Sequence, residues 1–233
     1  MSVIHFNDVP CVIVGDTETT GLSPQDSRIC SVSFHTLVRE AGQSWRLQDD
    51  MNFLINPEQP VPEAAASVNG FTWEPDGPIT IDGRRNLAYE KPFREVAAQI
   101  RDYLNDTCLV FHNASFDISM LDAEFIRAGL PPLHQSFICT KQSFAEMKGL
   151  PREHIYIPGT NLNALCDSLG VNRQSRVAPD GSELHGAKVD ADLAGECFKQ
   201  LSLLNNGDYL LVEDYKVLPH NIKTMKPREG LTP

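Results

Sequence analysis

The chain has 233 residues, 41% of them apolar and 22% charged, with 15 Gly and 16 Pro. That length suits one domain with a sizeable core, and the composition excludes collagen-like, low-complexity and wholly disordered chains. A formal net charge of −11 argues against a general nucleic-acid coating protein, which would be basic, although carboxylates clustered to hold cations add to such a negative balance.

Cys11–Gly15 is a short β-branched apolar run closed by glycine, the pattern of a buried strand. Ile29–Leu37 and Met51–Ile55 read as two further strands, together an opening β-meander. Pro62–Ser67 reads as a short helix, and Trp73–Tyr89, broken by Pro75, Gly77, Pro78 and Gly83, as a long loop. Pro92–Leu104 has helical spacing, with apolar residues at 93, 96, 97, 100 and 104 behind a starting proline. Cys108–Phe111 is a brief strand that runs into His112-Asn113. Ile118–Ala128 is a helix stopped by Gly129 and Pro131, and Ile138–Lys148 is helical or mixed. Thr160 or Asn161 caps a short helix that ends at Gly170, Pro179-Asp180-Gly181 is a turn, and Val189–Leu204 is a long amphipathic helix. Strands first, with helices woven between later ones, predict an α/β domain around a mixed sheet.

Six widely spaced cysteines without a CxxC pair read as small buried hydrophobes rather than disulfides. No apolar run approaches the ~20 residues of a membrane span. The first ten residues lack a basic stretch followed by an apolar one, so the expected chain is cytoplasmic with no membrane partner.

Asp16 and Glu18 directly follow the first strand. Residues two apart on a strand share a face, so two carboxylates stand side by side. Like charges about 4 Å apart repel by roughly 4 kcal/mol at an effective dielectric of about 20, and a hard divalent cation would offset that. On its own the pair reads more readily as an exposed acidic strand end. Asp117 opens a helix after the Cys108–Phe111 strand, and Asp190 opens the long late helix, five residues after His185. Each alone is an ordinary acid in a first helical turn. Together, Asp16, Glu18, Asp117, Asp190 and His185 form a set of element boundaries that could meet at one sheet edge. There two divalent ions, Mg²⁺ or Mn²⁺, and a histidine base would hydrolyse a phosphate ester in line.

Three segments carry a resemblance: VIVGDTETTGL (12–22), VFHNASFDISML (110–121) and HGAKVDADLAGE (185–196). In order, they resemble the DEDDh family of 3′→5′ exonucleases, and within it the proofreading epsilon subunits of bacterial DNA polymerase III. The His-x4-Asp spacing marks the histidine branch. The resemblance covers residues 10–204. It implies an RNase H-like mixed five-stranded sheet flanked by helices, as a single exonuclease domain over 1–204 with a C-terminal extension over 205–233. It further implies that Asp16, Glu18 and Asp190 hold the catalytic metal, with Asp16 shared with a second ion served by Asp117, and that His185 is the general base. Thr19 and Leu22 would line the pocket of the 3′-terminal nucleotide, Phe116 would pack on its base or sugar, and Asn113 would be a further contact.

Two features depart from the family pattern. Asn69 stands where many relatives have histidine, altering a substrate-pocket contact. The 73–90 stretch is longer than in compact relatives, and its Trp73, Arg84, Arg85 and Tyr89 form either a surface for a nucleic-acid strand or a solvated insertion. The implied activity is removal of nucleoside 5′-monophosphates from single-stranded or frayed DNA 3′ ends, in proofreading or repair. An RNA-trimming enzyme of the same family, or a non-catalytic nucleic-acid or polymerase-binding module, are the alternatives. A polymerase or sliding clamp would attach through the C-terminal region. Gln200–Leu204 resembles a clamp-binding motif, but its position in an apolar helix favours core packing.

Overall fold

The computed structural model describes residues 9–40, 43–150, 159–173 and 186–213. Three strands, β1 (Cys11–Thr19), β2 (Ile29–Val38) and β3 (Arg46–Leu54), form an antiparallel meander. A short helix, α1 (Glu63–Asn69), leads into β4 (Phe71–Thr72), β5 (Thr80–Ile81) and β6 (Arg84–Asn86). Next come α2 (Phe93–Leu104), β7 (Cys108–Phe111), α3 (Ala114–Arg127), β8 (Phe137–Cys139), α4 (Thr140–Met147), α5 (Leu162–Leu169) and α6 (Ala187–Leu203). The main sheet has the order β3-β2-β1-β7-β8, with β7 and β8 parallel to β1. It is the mixed five-stranded sheet that the resemblance implies.

Helices cover both faces of this sheet, and each face has its own core. On one side α2 and α3 pack Phe93, Ile100, Leu121 and Phe125 against Ile13, Phe34 and Phe111. On the other, α5 and α6 pack Leu165, Leu193, Cys197 and Phe198 against Val12, Val14 and Val110. Alternation along β1 sends Ile13 to the first core and its neighbours Val12 and Val14 to the second. Each fully buried large apolar side chain contributes about 2–3 kcal/mol. Gly15 is required where these layers meet: a Cβ there would lie 2.7 Å from ring atoms of both Phe34 and Phe111, two buried side chains. The six cysteines are free, and Cys166 and Cys197 approach to 3.5 Å between sulfurs at the α5–α6 contact.

Several elements differ from the sequence reading. β1 continues through Asp16 to Thr19, because Asp16–Glu18 pair in register with Ser33–Ser31 of β2. β3 starts at Arg46 rather than Met51; as the exposed edge strand it has no apolar pattern to announce its first half. α3 starts at Ala114, after Asn113 in the left-handed conformation (φ 85°, ψ 47°). The 73–89 stretch is not simply a loop, since β4, β6 and β5 form a second, three-stranded sheet. Its organiser is Asn86, fully buried, whose side chain donates to the carbonyls of Glu74 and Pro78 (2.8 and 2.9 Å) and accepts from the Glu74 amide (3.0 Å). Asn161 rather than Thr160 caps α5, accepting from the Ala164 amide at 2.9 Å. Beyond α6, Leu210 is buried in the second core and Glu213 forms an antiparallel bridge with Phe137 of β8. Within the 200–204 motif Leu201 is fully buried in that core, whereas Leu203 is exposed. The 179–181 turn lies outside the described residues.

Candidate active site

The parallel strands β1, β7 and β8 end on the same edge of the sheet, where α/β folds commonly place their ligands. At that edge Asp16 and Glu18 stand half-buried on the α6 face of β1, two residues apart. Asp190 joins them from the first turn of α6, which packs across β1 and β2. Oxygens of these three carboxylates all lie within 4.8 Å of one another. At that separation each charged pair repels by roughly 3 kcal/mol at an effective dielectric of about 20, less where water reaches it. The donor set is hard, anionic and all oxygen, which fits a divalent cation such as Mg²⁺ or Mn²⁺.

The position of α6 is fixed from below by a polar chain. His35 Nδ1 lies 3.2 Å from Asp192 Oδ1, His35 Nε2 lies 3.1 Å from Ser33 Oγ, and Ser33 donates to Asn52 Oδ1 at 2.6 Å. His35 is buried beneath the helix, and burial pushes its imidazole below the usual histidine range, against the pull of Asp192. Ser33 is the cross-strand partner of Asp16, so this chain ties the α6 turn that bears Asp190 to the row that bears Asp16.

Asp117 approaches β1 from the opposite flank. β7 stops pairing with β1 at Gly15↔Phe111, and the chain then turns into α3. The Thr17 amide lies beyond that last pair and donates to Asp117 Oδ1 at 3.1 Å, while the Thr17 hydroxyl donates to the same oxygen at 2.9 Å. Thr17 sits between Asp16 and Glu18, so these bonds bring Asp117 to the same two residues of β1. Complete burial pushes its carboxyl up to about 8, with the Glu18 charge adding to the shift and the Thr17 bonds opposing it.

The remaining candidates surround this edge. Thr19 is buried and its hydroxyl donates to the Gly21 carbonyl at 2.6 Å. Leu22 is 85% exposed. The Asn69 side chain is buried: its amide donates to the Thr19 carbonyl (3.2 Å) and its oxygen accepts from the Phe71 amide (3.1 Å). Phe116 is half-buried against the first core, and Asn113 accepts from Lys141 Nζ at 3.4 Å. His185 lies outside the described residues. In the insert, Arg84 pairs with Glu63 (2.5 Å) and Arg85 with Glu90 (2.6 Å). Trp73 donates to Asn56, and Tyr89, its ring largely exposed, donates to the Gly77 carbonyl. The charges offered by sequence as a strand-binding surface are thus matched, Arg84 by Glu63 of α1 and Arg85 by Glu90 of the insert.

Two groups escaped the sequence reading. Thr17 could have been singled out, since alternation between two acids turns its side chain to the far face. The second group holds the loop that carries Leu22. Buried Glu124 of α3 takes Arg28 Nε at 2.6 Å and the Ile29 amide at 3.2 Å, and Arg127 donates to the carbonyls of Pro24 and Gln25. No local pattern announces these contacts, which join residues about 95–103 positions apart.

The exonuclease family model RNase_T matches residues 13–198. DNA polymerase III subunit epsilon of Haemophilus influenzae is 30% identical over 195 residues, covering 82% of this chain and 66% of that protein. The subunit of the same name from Rickettsia felis is 29% identical over 218 residues, covering 91% of this chain and 82% of its own. The chain therefore spans about two thirds of the length of the Haemophilus relative. Among solved structures, the nuclease domain of 3′hExo, a DEDDh family member bound to rAMP, superposes with a TM-score of 0.62 at 16% identity, over 89% of this chain and 98% of that one. E. coli exonuclease I in complex with a dT13 oligonucleotide gives 0.63 at 17% identity, over 83% and 41%. The fold is that of RNase H-like exonuclease domains.

Proposed function

We propose, from the premise that this chain belongs to the exonuclease family, that it is a metal-dependent 3′→5′ exonuclease of the proofreading or repair type, acting on single-stranded or frayed DNA ends and releasing nucleoside 5′-monophosphates. The observation that carries the reading is the approach of Asp16, Glu18 and Asp190 to within 4.8 Å at the edge where the parallel strands end. Those three carboxylates would hold the catalytic ion, with Asp16 shared with a second ion served by Asp117. When bound, such ions supply an activated water and charge stabilisation for a phosphodiester.

The chain's own residues do the rest. His185 accepts the proton of the attacking water, a role suited to a group that titrates near neutrality. The Thr19–Leu22 turn takes the 3′-terminal nucleotide. Asn69 shapes that pocket through the Thr19 carbonyl, while Leu22, held out by the Arg28–Glu124–Arg127 contacts, offers an apolar surface to the base. Phe116 and Asn113 flank the sugar on the Asp117 side. Recognition rests on phosphates and the strand end rather than on base identity. Relatives named as polymerase III epsilon subunits support a polymerase as partner, reached through the region after 205.

Matched 5′-labelled DNA and RNA oligonucleotides, incubated with Mg²⁺, Mn²⁺ or EDTA, test this directly. The expected result is a ladder shortening from the 3′ end of the DNA, abolished by EDTA. Faster shortening of the RNA would move the substrate to RNA and leave the residue roles standing. A folded protein that degrades neither would overturn the reading and leave a binding module.

A further inference from the structure

A polyanionic strand must thread its 5′ side away from the carboxylate cluster across a protein of net charge −11. The cations near the site are mostly matched already: Lys188 pairs with Asp192, Arg84 with Glu63, Arg85 with Glu90, and Arg28 with Glu124. Lys141 differs. The residue is half-buried and its ammonium donates at 3.4 Å to the neutral amide oxygen of Asn113. No carboxylate stands within ion-pair distance of it among the described residues.

The sheet register says where this charge sits. Gly15 pairs with Phe111 and Phe111 with Cys139. One step further, His112 Nδ1 lies 3.0 Å from Thr140 Oγ1, and the step after that brings Asn113 to Lys141. With strands about 4.8 Å apart, β8 lies two spacings, about 10 Å, from β1, so Lys141, two residues past β8, enters from the far end of the edge that bears Asp16 and Glu18 and reaches back to Asn113 behind β7. Asn113 takes the left-handed conformation at the start of α3, and its side chain makes no capping bond there. Its oxygen is turned to Lys141 instead, which steadies the flexible lysine stem. The row Lys141, Asn113, Phe116, Asp117 thus runs from an unmatched positive charge to the edge where the scissile phosphate would lie.

We infer that Lys141 is a phosphate-binding site for the strand, holding a backbone phosphate on the 5′ side of the scissile bond. This rests on the exonuclease reading and extends it, because a single nucleotide would not reach the site and an oligonucleotide would.

The test compares full-length wild-type protein, Lys141→Gln and Lys141→Arg on two substrates: a labelled single-stranded oligonucleotide and the p-nitrophenyl ester of thymidine 5′-monophosphate. In Lys141→Gln the ratio of kcat/KM for oligonucleotide over ester is expected to fall about five- to tenfold, mostly through KM, as for one lost hydrogen-bonded contact partly open to water. The slope of log(kcat/KM) against log[salt] on the oligonucleotide should become shallower by roughly 0.7, the loss of one phosphate contact on a single strand. Lys141→Arg should restore both. An unchanged ratio and slope in Lys141→Gln, with wild type active on both substrates, would overturn this inference alone. Equal losses on both substrates would also overturn it, making Lys141 structural. A wild type that hydrolyses neither substrate would overturn the exonuclease reading beneath it.

Discussion

The two flanks of β1 treat acids in opposite ways. On the α6 flank, Asp16, Glu18 and Asp190 are half-buried or buried and crowded together, held by a helix that the His35 chain ties to the sheet. On the α3 flank, Asp117 is fully buried and receives two hydrogen bonds from Thr17 on one oxygen. The first arrangement stores like-charge repulsion that a cation would relieve. The second holds an acid in a site where burial favours the neutral form, so a positive charge nearby would favour its ionisation. One strand, by alternating Asp-Thr-Glu, serves both: its acids face one core and its threonine reaches the other.

The largest expected effect comes from the crowded flank. Asp16→Ala removes the carboxylate proposed to be shared by both ions. Hydrolysis should fall about a thousandfold or more, while thermal stability in EDTA stays equal or rises because a repulsive partner is gone. Adding Mg²⁺ or Mn²⁺ to wild type at about 100 times its dissociation constant should stabilise it by roughly 2.7 kcal/mol, and this shift should vanish in the variant. Full activity in purified Asp16→Ala would remove the basis for the metal assignment.

Asp117→Asn probes the buried flank, with a smaller loss of activity, roughly a hundredfold, and a gain in stability. The folded-state pKa of Asp117 is pushed up to about 8, above the ~3.9 of an unfolded aspartate. Between those values the folded form holds a proton that the unfolded chain has released. The Asp117 contribution is therefore fully present below about pH 4 and is lost as pH rises toward 8. Asparagine keeps an acceptor for Thr17 and does not titrate. In EDTA the variant should match wild type near pH 4 and exceed it by about 1–3 kcal/mol near pH 8, several degrees in Tm. Parallel pH–Tm curves for the two proteins would show that Asp117 is not held neutral.

How much of this was legible in the sequence follows the same division. β1, β7 and α2 announce themselves because their apolar residues face a core with the right period, and α5 is bracketed by Asn161 and Gly170. The acids of the site were visible as residue types at element ends. The alternation of Asp16 and Glu18 could be read from the strand before them, but the pairing of β1 on to Thr19 could not, because this end of the strand is polar where its packed part is apolar. β3 hid its first half by lying at the sheet edge, and β4–β6 hid because strands of two or three residues carry no period; a buried Asn86 assembles them. The Thr17–Asp117 pair is a contact 100 residues apart, which no local pattern encodes. That these acids share one site had to be inferred from types and order, while the difference between its two flanks needed the register.

That register can be tested with the smallest change. Thr17→Val keeps the side-chain shape and the backbone N–H but deletes the hydroxyl donor to Asp117. Losing one hydrogen bond to a buried acceptor should cost about 1 kcal/mol where Asp117 is neutral. The larger consequence is electrostatic. The Thr17 bonds, ahead of Asp117's own backbone amide, hold the Asp117 carboxyl down against burial and Glu18, so without the hydroxyl its pKa rises further. Activity that needs the ionised form should then reach half its maximum at a higher pH, with the plateau at alkaline pH reduced severalfold at most, and Thr17→Ser should return the midpoint to its wild-type value. A uniform loss of activity at every pH, with the midpoint unmoved, would mean that Thr17 only braces the fold and that the two flanks of β1 are not electrostatically joined through it.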